Sequence, residues 1–224
     1  MKLLVVTDAV DQAVYSAQVK HRFGDVDLIL SCGDLPPYYL EFLVSMLDVP
    51  LYYVRGNHDH ELMQRDGNGQ PHLPGGCISI DGKIVIHDGL IIAGLGGSPF
   101  YNGKEDQYTD FQQRLRWLAM EPRLLFNRAR YGRACDILLT HAPPRGINDR
   151  DDACHLGFPT FLTFLDRYAP RYLIHGHIHL YNRNAPYKAT HGRTEIINAY
   201  PFRVLEIAPG RPEPLPVTAG SREQ

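Results

Sequence analysis

Aspartate, asparagine and histidine recur in this chain directly after short apolar runs, a placement that suits metal binding. Asp8 follows the run at 3–6, Asp34 follows 26–30 through Cys32 and Gly33, and Asn57-His58-Asp59 follows 51–54 through Arg55 and Gly56. Further on, His141 follows 136–139, and His177-Ile178-His179 follows 172–174. Carboxylates and neutral imidazoles suit zinc, manganese or iron, and a carboxylate has two oxygens with which to bridge a pair of cations. Two ions about 3.5 to 4 Å apart can hold both the attacking and the leaving oxygen of an in-line displacement, which is the chemistry of phosphoester hydrolysis. Arg55 and Arg145 adjoin these segments. Guanidinium groups clamp phosphate bidentately, so both are candidate substrate contacts.

The elements that must position these residues read as an alternating pattern. The branched, apolar runs at 3–6, 26–30 and 51–54 are expected as buried parallel strands. Helical spacing at 12–21 and 37–47 joins them, the second stretch opening on prolines suited to a first turn. In such sheets ligands bind at the carboxyl ends of the strands, where the polar segments fall. Runs at 77–80, 83–87 and 90–95, punctuated by Asp81-Gly82 and Asp88-Gly89, predict an antiparallel meander. Residues 109–131 are helical, with Pro122 expected to divide them into two helices. Strands follow at 136–139, 172–174, 195–197 and 203–207, with a helix at 161–168. Residues 61–76 read as a long loop, and a flexible tail is expected over 208–224, leaving one domain over 1–207.

Composition excludes several classes. The 224 residues are 44% hydrophobic and 21% charged, a globular balance, with a formal net charge of -2. That charge gives no global attraction to an anionic membrane or to nucleic acid, so neither is an expected partner; a small phosphoester substrate is. The four cysteines, Cys32, Cys77, Cys135 and Cys154, form no CxxC pair. With no signal-peptide core and no apolar run long enough to span a bilayer, the expected location is cytoplasmic. Oligomeric state is left open.

Taken in order, Gly33-Asp34, Gly56-Asn57-His58-Asp59, His141 and Gly176-His177-Ile178-His179 resemble the motifs of the calcineurin-like metallophosphoesterases. The segment from Thr140-His141-Ala142-Pro143-Pro144 to His155-Leu156-Gly157 is similar to their small bacterial phosphodiesterase-like branch. The resemblance implies an α/β fold, a four-layer αββα sandwich of mixed sheets flanked by helices. It also implies hydrolysis of a phosphomonoester or phosphodiester by a metal-bound hydroxide at a centre of one or two divalent or trivalent ions, manganese, iron or zinc. Carried over by position, Asp34 would bridge the metals; Asn57, His141 and His177 would complete one site, and Asp8 and His179 the other. His58 would be the general acid, a role for a partly or wholly cationic imidazole near neutral pH, with Asp59 orienting or charge-stabilising it.

The departure is Val10, which stands where the family's Asp-x-His motif has its histidine and cannot bind metal. Solvent could replace the imidazole, one metal could remain, or Asp11 could substitute. A scaffold that has lost turnover and a nuclease of the superfamily are the rival readings. His155 lies between the His141 and His177 motifs and is a further candidate substrate contact. His175 is expected to back the ligands rather than to bind metal. His21, His60, His72, His87 and His191 read as structural, the Gly94 to Ser98 run as a tight turn, and the six arginines between Arg114 and Arg133 as a solvated helix face.

Overall fold

The computed structural model describes residues 1–63, 69–182 and 185–208. Its strands alternate buried faces, so each sheet is covered on both sides. In β1 (Lys2–Val6), Leu3 and Val5 point into one apolar cluster and Leu4 and Val6 into another, the period-2 consequence of the pleat. β1 pairs in parallel with β2 (Leu28–Ser31), which pairs in parallel with β3 (Leu51–Tyr53) and then β4 (Ile78–Ser79). The last strand, β13 (Phe202–Glu206), closes the other edge antiparallel to β1.

The second sheet is six-stranded, built in spatial order from β11 (Lys188–His191), β12 (Thr194–Asn198), β10 (Tyr172–His175), β9 (Ile137–Thr140), β6 (Leu90–Leu95) and β5 (Ile84–His87). Its four central strands are parallel, and β5 and β11 are antiparallel edges. A short pair, β7 (Ser98–Pro99) with β8 (Gln107–Tyr108), stands apart. Leu3, Leu30 and Val54 of the first sheet share a buried cluster with Ile92, Leu139 and Ile174 of the second, so the sheets stack face to face. The outer face of the first sheet packs against α1 (Val19–Phe23) and α2 (Pro37–Leu47). That of the second packs against α4 (Asp110–Tyr131) and α5 (Pro159–Tyr168). The result is the four-layer αββα sandwich, with the short α3 (Asp59–Leu62) at one end.

Several sequence expectations change. Helix forms only from Val19 in the first connection, because 11–16 close as turns, with the Asp11 carbonyl accepting from the amides of Val14 and Tyr15. The meander is not one unit: β4 joins β3 in the first sheet, while β5 and β6 form a hairpin in the second. Pro122 does not divide α4, which runs unbroken from its Thr109/Gln112 capping box to Gly132 at φ 74°. Pro122 is exposed, on the side of the helix away from the core, where the backbone carbonyl left without its N–H partner does not have to be buried. The parts of the expected loop and tail at 64–68 and 209–224 lie outside the described residues.

Candidate metal centre

The parallel strands of both sheets deliver their carboxyl ends to one edge. Asp8 follows β1, Asp34 follows β2 and Asn57 follows β3 in the first sheet; His141 follows β9 and His177 follows β10 in the second. Asp8, Asp34 and His177 all adopt left-handed backbone, with φ of 60°, 56° and 65°. That conformation is uncommon away from glycine, and its concentration here marks a shaped site. Gly33, at φ 95°, lies so close to the next strand end that a Cβ on it would meet the Gly56 nitrogen at 2.3 Å, while a Cβ on Gly56 would meet the Asp34 carboxylate.

Hydrogen bonding fixes which atoms face the centre. His141 Nδ1 lies 2.8 Å from the Cys32 carbonyl and His177 Nε2 lies 2.7 Å from the Cys154 carbonyl. A carbonyl only accepts, so those ring nitrogens carry the protons and His141 Nε2 and His177 Nδ1 offer lone pairs. These two nitrogens are 3.1 Å apart, and His141 Nε2 is 3.1 Å from Asn57 Oδ1 and 3.3 Å from Asp34 Oδ2. Asn57 turns its amide nitrogen the other way, donating to the Tyr101 hydroxyl at 3.1 Å. Acceptors therefore converge with no donor among them, an arrangement that calls for a cation. The electrostatics agree: burial works against a charged His141, but the Asp34 carboxylate outweighs it and lifts the pKa to about 10, so a proton takes the place a cation would fill. Burial, then the neighbouring His141 charge, press His177 down to about 3. Asp34, for which burial is outweighed by His141 and the His58 amide, falls to about 2.

The second half of the centre is sparser. Asp8, Asp34 and His141 present ligand atoms within 4.8 Å of one another, and Asp8 Oδ1 is 3.5 Å from His179 Nε2. Asp8 also accepts from Thr7 Oγ1 at 2.6 Å and from the His177 amide at 2.9 Å. His179 is fixed by its Nδ1 contact with the Tyr181 hydroxyl at 3.1 Å and by stacking on Tyr200, ring centroids 4.5 Å apart. Val10 packs against the apolar cluster under α1 and α2 and supplies no donor atom. Asp11 Oδ1 accepts from the Ala13 amide at 2.7 Å, a local turn contact.

A cavity of about 310 Å³ opens over these residues, walled further by His58, Tyr101, Cys154 and His155. A larger one of about 470 Å³, beside β13, is lined by Asp11, Tyr200 and Arg203 and holds none of the converging acceptors. His58 stands half-exposed, its amide donating to Asp34 Oδ1 at 2.7 Å and its Nδ1 3.1 Å from Glu61 Oε2. Glu61 is held in turn by Lys104. Asp59, expected to orient His58, is buried and accepts instead from the amides of Gly56 at 2.6 Å and Leu35 at 3.2 Å, bracing two strand ends. Burial first, then Asp34, raise its pKa to about 7.

Of the expected substrate contacts, His155 reaches the cavity, its ring 5.4 Å from that of His177 and its Nδ1 2.6 Å from Asp152. Arg55 does not: it pairs with Asp106 at 3.0 Å, on the side of β8. Arg145 pairs with Asp149 at 3.0 Å and likewise stays off the cavity wall. Their positions beside ligand segments placed them near the centre in sequence, but buried or half-buried carboxylates claim both guanidiniums. Tyr101, Glu61 and Lys104 were not legible in the sequence. The one signal for Tyr101 is Gln107, whose Oε1 accepts from the amides of Tyr101, Asn102 and Gly103 and so shapes their loop.

The family model of calcineurin-like phosphoesterases matches residues 1–181, and the chain belongs to that family. No curated protein matches it in sequence. Among solved structures, TT1561 of Thermus thermophilus shares the fold at a TM-score of 0.53, with 11% identity over 88% of each chain. A second solved structure reaches 0.56 at 14% identity, covering 88% of this chain and 90% of its own.

Proposed function

We propose that this chain hydrolyses a small phosphomonoester or phosphodiester with one or two divalent or trivalent ions, manganese, iron or zinc, and that His58 protonates the departing oxygen. The observation that carries the reading is the donor-free convergence of His141 Nε2, His177 Nδ1, Asn57 Oδ1 and Asp34 Oδ2 beneath a cavity rimmed by an accessible imidazole. Asp34, Asn57, His141 and His177 would hold one ion; Asp8, Asp34 and His179 would hold the other, less tightly, since Val10 contributes nothing. Ions bound there supply Lewis acidity and activate water at neutral pH.

The chain's own residues account for the remainder. Glu61, on His58 Nδ1, orients the imidazole and leaves Nε2 to carry the proton toward a leaving group. Lys104 keeps that carboxylate in place. The Tyr101 hydroxyl, beside Asn57, can donate to a phosphoryl oxygen, and His155 forms a further part of the wall. Val10 supports a second reading, a member of the fold that binds metal but has lost turnover. Assay of generic monoester and diester substrates with each metal supplied tests between them. Turnover in the wild type that Asp34→Ala and His58→Ala abolish supports hydrolysis; equal, background rates in all three leave the scaffold reading.

A further inference from the structure

α4 carries two apolar faces where a surface helix needs one. Gln113, Trp117, Met120, Leu124 and Asn127 point into the core. Opposite them, Phe111, Leu115, Ala119, Pro122, Leu125 and Phe126 recur at intervals of three and four, a continuous stripe along the outer side. It is open to solvent: Phe111 is 67% exposed, Leu115 49%, Leu125 47% and Phe126 54%. Exposed phenylalanines and leucines gathered on one helix mark a contact surface.

The margins of the stripe say what it meets. Arg114 and Arg128 lie on one side and Arg123 and Arg130 on the other, all exposed. Among the described residues no carboxylate pairs with these four, whereas Arg116 is tied to Asp81 and Arg133 to Asp136. The acids of the helix are occupied inward, Asp110 by the Thr160 amide and Glu121 by Arg167 and the Tyr168 hydroxyl. A second copy seated on the stripe in antiparallel fashion would bring arginine rows against arginine rows at both margins, which disfavours self-association. A surface that is negative on both sides of an apolar layer fits instead.

We propose that the outer face of α4 docks on an anionic lipid surface, its phenylalanines and leucines entering the acyl boundary and its arginines reaching the headgroups. The helix, 22 residues or about 33 Å long, would lie in the interface plane. It would not span: among the described residues no helix is long and apolar enough to cross a membrane. The near-neutral net charge of the whole chain does not reveal this local excess, four exposed arginines along one helix without a carboxylate partner among the described residues.

The test is sedimentation of the full chain with vesicles of phosphatidylcholine alone and with about a third of phosphatidylglycerol, at low and high salt. Binding to the anionic vesicles only, weakened by salt, is expected. Each of Arg123→Gln and Arg130→Gln should weaken it roughly fivefold, and Phe111→Ser/Phe126→Ser should abolish it, with melting temperature and metal content unchanged. Phe126→Trp should show a blue-shifted emission on anionic vesicles beyond that of the wild type. Absence of binding, or binding that Phe111→Ser/Phe126→Ser leaves intact, overturns the proposal. So does binding lost on adding a chelator, which would assign the lipid phosphate to the metal centre, or a dimer in solution that Phe126→Ser dissolves.

Discussion

Replacing Gly56 by alanine should empty the metal centre without unfolding the protein. Gly56 lies between β3 and Asn57 in ordinary backbone geometry, so alanine adds no conformational strain. Its Cβ, however, would stand 2.1 Å from Asp34 Oδ1 and 2.7 Å from His141 Cε1, where ordinary contact begins at 3.4 Å. The Asp34 carboxylate must therefore withdraw by about 1.3 Å, well beyond the ~0.5 Å tolerance of a functional constellation. It would leave the His58 amide, now 2.7 Å away, and the acceptors gathered around His141 Nε2. Misplacement on that scale costs on the order of 100-fold in metal affinity, and in turnover if the centre is catalytic. Calorimetric titration of manganese into metal-free protein measures the first and diester hydrolysis the second. Gly75→Ala is the control, its Cβ meeting Glu41 at ordinary contact distance, 3.5 Å to Oε1. A folded Gly56→Ala protein that binds manganese as tightly as wild type would refute the reasoning.

Three further outcomes follow from the same geometry. Glu61→Gln should slow hydrolysis of esters with alkyl leaving groups, which need protonation, while sparing 4-nitrophenyl esters, whose leaving group does not; an equal loss on both would remove Glu61 from the positioning of His58. His175 is buried and its pKa is pressed down to about 4, chiefly by burial. The unfolded chain therefore takes up a proton that the native state refuses, so the His175 contribution to metal-free stability should be lost as pH drops from about 6.5 toward 4, by up to about 3 kcal/mol; the difference between wild type and His175→Gln in urea unfolding across that range reads it, with the titrations of His177 and Asp59 common to both. Trp117→Phe leaves the buried Thr160 hydroxyl without its 2.8 Å donor and disturbs the edge contacts to Phe164 and Tyr168, costing about 2 kcal/mol by chemical denaturation.

What sequence could and could not reveal divides along physical lines. β1, β2 and β3 were legible because buried parallel strands are short apolar runs, and their ends carry the polar residues that the fold brings together. β4 was misassigned because Asp81-Gly82 has hairpin chemistry, yet Ile80 is drawn into the core between the sheets and the chain crosses from one sheet to the other there. Pro122 misled because its cost depends on facing the core or solvent, which spacing alone left open. The converging residues share strand-end positions visible in the chain, whereas Tyr101, Cys154 and Lys104 come from loops whose paths depend on long-range packing. Arg55 and Arg145 show the converse, since adjacency in sequence says nothing of which carboxylate a long side chain will find.

The central claim is that the acceptors around His141 Nε2 exist to hold a cation. Metal analysis of the purified chain reconstituted with manganese, iron or zinc, alongside Asp34→Asn, tests it directly. At least one ion per chain in the wild type, and its loss in the folded Asp34→Asn variant, is the expected result; a wild-type chain that retains none of the three would contradict it.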